Sequence, residues 1–474
     1  MSQTITIDPV TRLEGHGKIT IYLNDAGEVE DAHFHVTQVR GFERFSEGRP
    51  FYEMPSLMAR ICGICPVSHL IASAKACEAI MSVRIPHTAA QLRRMLNLAQ
   101  MVQSHALSFF YLASPDLLLG MESDPKLRNV LGVVAAKPQL GRAGVALRRF
   151  GQHIIELLGN KRIHPGWVVP GGVTEPLAPA KRDEILAMLP EAYANIALAL
   201  AAYKQIADTF KAEIEVFANF PSNYMSLINE DESIEFTDGA LRMVDPQGNI
   251  LDDGITADRF SQSIGEAVEN YSYTKFAYYK PLGYPNGSYR VGPLARLNIV
   301  KSMGTPLAEK ELAEFKQLAS GPVESSFHYH HARLIEVLYG IEMIERILTD
   351  PHILDKHVRA TAGVNRLEGA GQAEAPRGTL MHNYKVDENG LITWANLVIA
   401  TGQNNNAMNK GVLQAAKAYV KDGKFTEGTL NRIEAVIRTF DPCLSCSTHA
   451  FGQMPLAVSL LNADGEVVDR LIRG

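Results

Sequence analysis

The sequence predicts an α+β fold, predominantly helical, with a large helical core carrying the functional site and small antiparallel sheets from the N-terminal and C-terminal regions. Three observations lead there. Apolar residues recur at three- and four-residue spacing through most of the stretch from Val67 to Thr439, the pattern of amphipathic helices. Clear strand-like alternation is seen in the first 40 residues and in short segments after residue 379. Two Cys-x-x-Cys pairs, Cys62/Cys65 and Cys443/Cys446, sit near opposite ends of the chain. If both serve one metal centre, the two ends meet and cannot be independent domains, although 474 residues leave room for about three.

Thr4-Ile-Thr-Ile, Lys18–Leu23 and Val29–Val36 alternate and are punctuated by the turn Asn24-Asp-Ala-Gly, so they read as a strand meander. Val67–Val83, Ala89–Leu112 and Leu140–Leu158 follow as helices. Ala180–Phe217, rich in Ala, Leu, Glu and Lys, reads as one long helix or two, with Pro190 as the expected break. The stretch 220–300 is rich in Gly, Pro and Tyr and reads as irregular with short strands. Helices resume at Pro306–Leu318 and Ser325–Leu348. Thr379–Val386 and Leu391–Ala400 form a hairpin around Asp387-Glu-Asn-Gly, and helices close the pattern at Ala407–Val420 and Glu427–Thr439.

A net charge of −6 and a pI near 6.2 offer no basic field for nucleic acid. No apolar stretch approaches the ~20 residues of a membrane span. The N-terminus lacks the basic region and apolar run of a secretory signal, so the chain reads as cytoplasmic. Five cysteines, four of them paired as Cys-x-x-Cys, point in that compartment to metal or redox chemistry rather than a disulfide framework.

The first pair lies in Arg60-Ile-Cys62-Gly-Ile-Cys65-Pro66, before a helix, where Gly63 is expected to permit the turn that aims both sulfurs one way. The second lies in Asp441-Pro-Cys443-Leu-Ser-Cys446, after a helix that Pro442 stops. Four thiolates suit zinc, iron–sulfur clusters, copper(I) or nickel. From spacing alone a structural zinc and a catalytic metal stand level. Zinc ribbons separate their pairs by roughly 15–20 residues, far less than the separation here.

The surrounding residues are similar, in the same order along nearly the whole chain, to the large subunit of nickel–iron hydrogenases. The resemblance rests on Asp8-Pro-Val-Thr-Arg-Leu-Glu14-Gly-His16, Arg40-Gly-Phe-Glu43, Arg60-Ile-Cys-Gly-Ile-Cys-Pro-Val-Ser-His69, Glu374-Ala-Pro-Arg377-Gly and Asp441-Pro-Cys-Leu-Ser-Cys-Ser-Thr-His449. The first cysteine motif and Ala-Thr401-Gly-Gln-Asn-Asn-Asn-Ala-Met-Asn-Lys look most like the soluble, bidirectional NAD-reducing group. The related quinone-site subunit of respiratory complex I lacks the four cysteines. It and a zinc-stapled structural protein are the alternatives.

The resemblance implies reversible heterolytic H2 cleavage. Cys62 and Cys443 would be terminal nickel ligands; Cys65 and Cys446 would bridge to an iron carrying CO and cyanide. Glu14 would take the proton from a terminal thiolate, although by position alone it reads as a surface acid. Glu43, His449 and the backbone carbonyl of Leu397 would hold a magnesium ion, histidine being an unusual ligand for it. Arg377, Asp116 and Asp441 would surround the open coordination position, and His69 and Thr401 would bond to a sulfur and a cyanide. Tuning contacts of this kind surround metal sites.

Phe327-His-Tyr-His-His331 places its histidines around a helix and reads as a non-ligand cluster, since a metal site needs converging ligands. Gly369-Ala-Gly371-Gln-Ala-Glu374 lacks the third glycine of a dinucleotide fingerprint and follows no clear strand, so no NAD binding is assigned to this chain. With Cys77 reading as core, no cysteines remain for an iron–sulfur cluster, which takes about four. Iron–sulfur clusters, flavin and NAD are expected on partners: diaphorase subunits and an iron–sulfur small subunit. The resemblance further implies nickel-insertion factors and a maturation endopeptidase. Residues 1–449 then form one composite domain. Residues 450–474, two short strands around Asn462-Ala-Asp-Gly, form a tail cleaved after His449.

Overall fold

In a computed structural model the protein is described over residues 3–448, 456–462 and 466–473. The three N-terminal alternating segments form a meander, β1 (Gln3–Ile7), β2 (Gly17–Leu23) and β3 (Val29–Val36), paired antiparallel in the order β1-β2-β3. Ile19, Ile21 and Leu23 point inward from the central strand, as a period of two requires.

The helical core follows. Helix α1 (Pro66–Met81) starts on Cys65 with Pro66 in its first turn; proline fits there because that N–H has no partner within the helix. Helices α2 (His87–Leu107), α3 (Pro138–Gly159) and α4 (Pro179–Thr209) stack in sequence, α2 on α3 and α3 on α4. A π-helical stretch, Ser108–Ala113, extends α2.

The expected break at Pro190 does not occur: α4 runs through it for 31 residues. Pro190 is exposed. The face bearing Ile185, Leu189, Ala192, Ile196 and Tyr203 is buried, and this packing holds the helix across the missing hydrogen bond. The expectation that no segment reaches membrane-spanning length is also corrected. Helix α4 contains an 18-residue window of mean hydropathy 1.6, long and apolar enough by composition alone, with 33% of that window buried.

The 220–300 stretch is more regular than its composition suggested. Strands β4 (Asn223–Ile228), β5 (Ala240–Val244), β6 (Ile250–Ile255) and β7 (Tyr289–Arg290) form a sheet in the order β7-β4-β5-β6, with β7 parallel to β4. Helices α5 (Pro306–Lys316) and α6 (Tyr329–Leu348) follow. Helix α6 is buried along nearly its whole length and packs on α2 and α4.

A second meander, β8 (Glu368–Ala375), β9 (Gly378–Val386) and β10 (Ile392–Val398), lies on α1. Strand β8 was not expected, since Glu-Gly-Ala-Gly-Gln-Ala-Glu-Ala has no β-branched residue. Its glycines explain it. A Cβ on Gly371 would lie 2.1 Å from the Ala72 carbonyl oxygen, and one on Gly369 2.3 Å from that of Ala76. Bare backbone is what lets the strand lie directly on the helix.

Helices α7 (Asn405–Tyr419) and α8 (Glu427–Phe440) return to the N-terminal sheet, α7 packing on β3 and α8 on α7. One apolar cluster extends from Ile5 to Cys446 and includes the four paired cysteines. Beyond it, β11 (Leu456–Leu461) and β12 (Val467–Arg473) form the hairpin expected of the tail; the turn residues 463–465 lie outside the described residues.

Candidate metal centre

The two chain ends meet at the cysteines. Helix α8 closes on Asp441, which adopts a left-handed φ of 52°; Pro442 cannot continue the helix, and Cys443 follows in an extended conformation. Glu14 forms a parallel bridge to Cys443, with Leu444 N–H donating to the Glu14 carbonyl at 3.1 Å. This threads the N-terminal signature past the second cysteine pair. Cys62 and Cys65 approach from the turn before α1. That turn does not depend on glycine: Gly63 has no left-handed φ, and a Cβ there would meet nothing within 4 Å.

All four sulfurs lie within 4.8 Å of one another and all four residues are buried. Sγ separations are 3.4 Å for Cys62–Cys443, 3.6 Å for Cys65–Cys446 and 2.6 Å for Cys443–Cys446. Thiolates bound to one tetrahedral metal at about 2.3 Å would be roughly 3.7 Å apart, so the cross-pair spacings match a shared cation. Burial pushes the Cys443 and Cys446 thiols well up, while contacts from Cys443, Cys446 and Cys62 hold Cys65 well down. Crowded thiols cannot all ionise in a dry site without a cation between them. Among the described residues this is the one group of His, Cys, Asp and Glu side chains close enough to hold a metal ion.

The Cys443 thiol donates to Glu14 Oε2 at 3.0 Å, and the same oxygen accepts from Ser445 N–H at 3.1 Å. Thr401 Oγ1 accepts from Cys443 N–H at 2.9 Å. Arg377 is buried. Its Nε donates to the Asp441 carbonyl at 2.5 Å and its Nη2 to Asp441 Oδ1 at 3.1 Å. Burial opposes its charge, but Asp441 and the thiols of Cys443, Cys65 and Cys62 outweigh it and hold the guanidinium well above its ordinary value. His69 contributes to holding Cys65 down, and its Nδ1 lies 3.2 Å from His382 Nε2.

Asp116 lies apart from this group in its bonding: it pairs with Arg12, with Arg438 at 2.9 Å and with Asn431 at 3.0 Å. Glu43 Oε1 accepts from Leu397 N–H at 2.9 Å and faces Lys275 Nζ at 3.4 Å. Burial raises the Glu43 carboxyl against the pull of Lys275. His449 lies outside the described residues.

Sequence reasoning missed several neighbours. His382 Nδ1 meets the Tyr384 hydroxyl at 2.6 Å, and Tyr384 donates to Ser73 at 2.8 Å, continuing the chain behind His69. His164 Nε2 lies 3.1 Å from the Cys62 carbonyl. Lys275 sits between Glu43 and Glu266. Isolated polar residues in unremarkable segments gave no local signal for any of them. The histidines near residue 330 face different partners: His328 meets the Tyr203 hydroxyl, His330 the Phe109 ring, and His331 stacks on Tyr203 at 4.9 Å.

Residues 40–123 and 222–449 match the family described as nickel-dependent hydrogenase, and residues 4–39 one described as HoxL-like. The chain is 42% identical to the NAD-reducing hydrogenase HoxS subunit beta of Cupriavidus necator, covering all of both. It is 41% identical to a subunit of the F420-non-reducing hydrogenase vhc of Methanococcus voltae, over 96% of this chain and 97% of that one. A crystal structure of an NAD+-reducing NiFe hydrogenase in the H2-reduced state superposes with a TM-score of 0.92 at 44% identity, over 94% of this chain and 99% of that one.

Proposed function

The chain belongs to the nickel-dependent hydrogenases, as a catalytic large subunit, and from that premise we propose that it cleaves and forms H2 reversibly, passing electrons through partner subunits to NAD. The observation that carries this is the convergence of Cys62, Cys65, Cys443 and Cys446 with a carboxylate, Glu14, 3.0 Å from the Cys443 sulfur. The family and structural matches set aside the quinone-site and zinc-staple alternatives.

The four sulfurs would hold nickel, with Cys65 and Cys446 shared with an iron that carries CO and cyanide. When bound, the two metals supply the redox-active, Lewis-acidic pair on which dihydrogen is polarised. The chain's residues supply the rest. Cys443 Sγ takes the proton and hands it to Glu14 Oε2 along the existing contact, a transfer within hydrogen-bond reach. Arg377 and Asp441 form a buried ion pair whose guanidinium feels the charge of Cys443, Cys65 and Cys62, and Thr401 and His69 hold two cysteines in position. Asp116 acts through Arg12 and Arg438, joining the N-terminal signature to α8.

Glu43 and the Leu397 carbonyl, with His449, would hold magnesium, Lys275 balancing the remaining charge. The names of the Cupriavidus necator relative and of the H2-reduced crystal structure support NAD as the acceptor; a cytoplasmic location, an iron–sulfur small subunit, flavin-bearing diaphorase subunits and dedicated maturation factors belong to the same proposal. Residues 1–449 serve as one unit because both ends build one site.

Metal analysis of the purified active complex tests this. Nickel at about one atom per large subunit is expected, with iron beyond what the partner clusters account for; zinc without nickel would overturn the reading.

A further inference from the structure

Arg377 lies in the turn of a hairpin that is poorly suited to hold it. Ala375 pairs with Gly378, so β8 and β9 are joined by the two residues Pro376 and Arg377. Two-residue hairpin loops favour the primed turns, whose first central residue has φ above zero. Proline fixes φ near −65° and excludes both. The strands therefore do not by themselves fix the direction of the Arg377 side chain.

A second arginine supplies the constraint. Arg296 is fully buried. Its Nη1 donates to the Ala375 carbonyl at 3.2 Å and its Nη2 to the Pro376 carbonyl at 3.3 Å, the two backbone groups immediately before Arg377. The guanidinium is itself locked. Nε and Nη2 fork onto Glu336 at 2.6 and 2.8 Å, and Nη1 bonds Glu374 at 2.5 Å. It lies over the Phe236 ring at 5.0 Å. Glu336 also takes His105 at 2.8 Å, so α2, α6 and β8 all anchor the same group.

The segment leading to Arg296 presses on the turn from the other side. A Cβ on Gly292, which has a φ of 93°, would lie 2.7 Å from the Arg377 carbonyl oxygen. A planar fork with several fixed donors can meet two carboxylates and two carbonyls at once; an ammonium cannot.

We propose that Arg296 is a positioning residue for H2 turnover: it clamps the Ala375-Pro376 carbonyls and so aims the Arg377 guanidinium over the cysteine sulfurs. This rests on the reading of Arg377 given above.

The test uses the assembled, nickel-loaded enzyme and compares Arg296→Lys, Arg377→Lys and the double variant. Arg296→Lys should lower kcat for H2 oxidation by about tenfold or more, the scale of a small misplacement of a working group. It should also shift the nickel EPR spectrum in the same sense as Arg377→Lys. The double variant should be no slower than Arg377→Lys alone, to within about twofold, since the two act through one group. Losses that multiply, or a spectrum unchanged in Arg296→Lys while Arg377→Lys shifts it, would overturn the clamp. An Arg377→Lys enzyme with wild-type turnover and spectrum would instead remove the reading of Arg377. If Arg296→Lys does not fold, Glu336→Gln frees one side of the fork that fixes the Arg296 guanidinium and leaves Arg377 itself unaltered. The same kinetic and spectral outcomes are expected of it, and the same results would overturn the clamp.

Discussion

Glu14 has a bland sequence position, next to Arg12 and His16 after a strand, and nothing in its residue type separates it from a solvated acid. The fold makes the distinction by laying its backbone against Cys443 and its carboxylate against the Cys443 sulfur. A proton leaving that sulfur for a group outside the four cysteines meets the Glu14 carboxylate at 3.0 Å. Glu14→Gln keeps the shape and the contact with Ser445 but removes the titrating group. Metal content should be unchanged while H2-dependent dye reduction falls by roughly 10² to 10⁴, the usual contribution of a placed acid or base. H2/D2 exchange should fall with it; unchanged rates in both assays would take Glu14 out of the relay. The cysteines and the proline-arginine block were legible because short motifs carry their chemistry in the residue types themselves. Lys275, His382 and Arg296 were not, because each matters only through partners brought together by the fold.

At the scale of elements, periodicity located the main helices and the N-terminal meander to within a few residues. It failed where packing overrides local preference. Helix α4 absorbs Pro190 because its opposite face is held on α3 and α6. Strand β8 forms from glycine and alanine because only bare backbone fits against α1. The start of α6 illustrates a third case, histidines used as apolar packing. Burial lowers His328 from 6.5 to about 4, with His331 adding to the effect, and His330 lies well below its ordinary value. Such a group is neutral in the folded chain but takes up a proton in the unfolded chain below pH 6.5. Its contribution to stability is present in full above that pH and is lost as pH falls from 6.5 towards 4. The thermal midpoint should fall over this window, and His328→Gln should give a shallower fall than wild type. Equal slopes for the two proteins would show that His328 is not kept neutral by the fold.

For the whole molecule, cysteine supply limits what the chain does alone. Four of its five cysteines converge on one centre, and the fifth, Cys77, is buried in α1, donating to the Phe51 carbonyl at 3.1 Å. Among the described residues no further cysteine is left to bind a cluster, and the proposed route therefore takes electrons out through a partner. The isolated, metal-loaded chain should exchange H2 with D2 but not reduce NAD, whereas the assembled complex should do both. Rapid NAD reduction by the isolated chain would contradict this division of labour. The last 25 residues pose the complementary question of when the centre closes. The match to the nickel-dependent hydrogenases ends at residue 449, directly after the second cysteine motif. The β11–β12 hairpin beyond it exposes Leu460, Val467, Val468 and Leu471, so these four side chains are not committed to the core that holds the cysteines. On the proposed function, a tail in that condition would be available to a maturation factor while the second cysteine pair is being loaded. Its removal would free the carboxylate end at His449 to settle beside Glu43 and Leu397. Cleavage between His449 and Ala450 is therefore expected in the H2-active form. Intact mass spectrometry of the active fraction should show a large subunit ending at His449, with a nickel-free precursor retaining Gly474. An active, nickel-loaded chain that still ends at Gly474 would rule out tail removal as the step that closes the site.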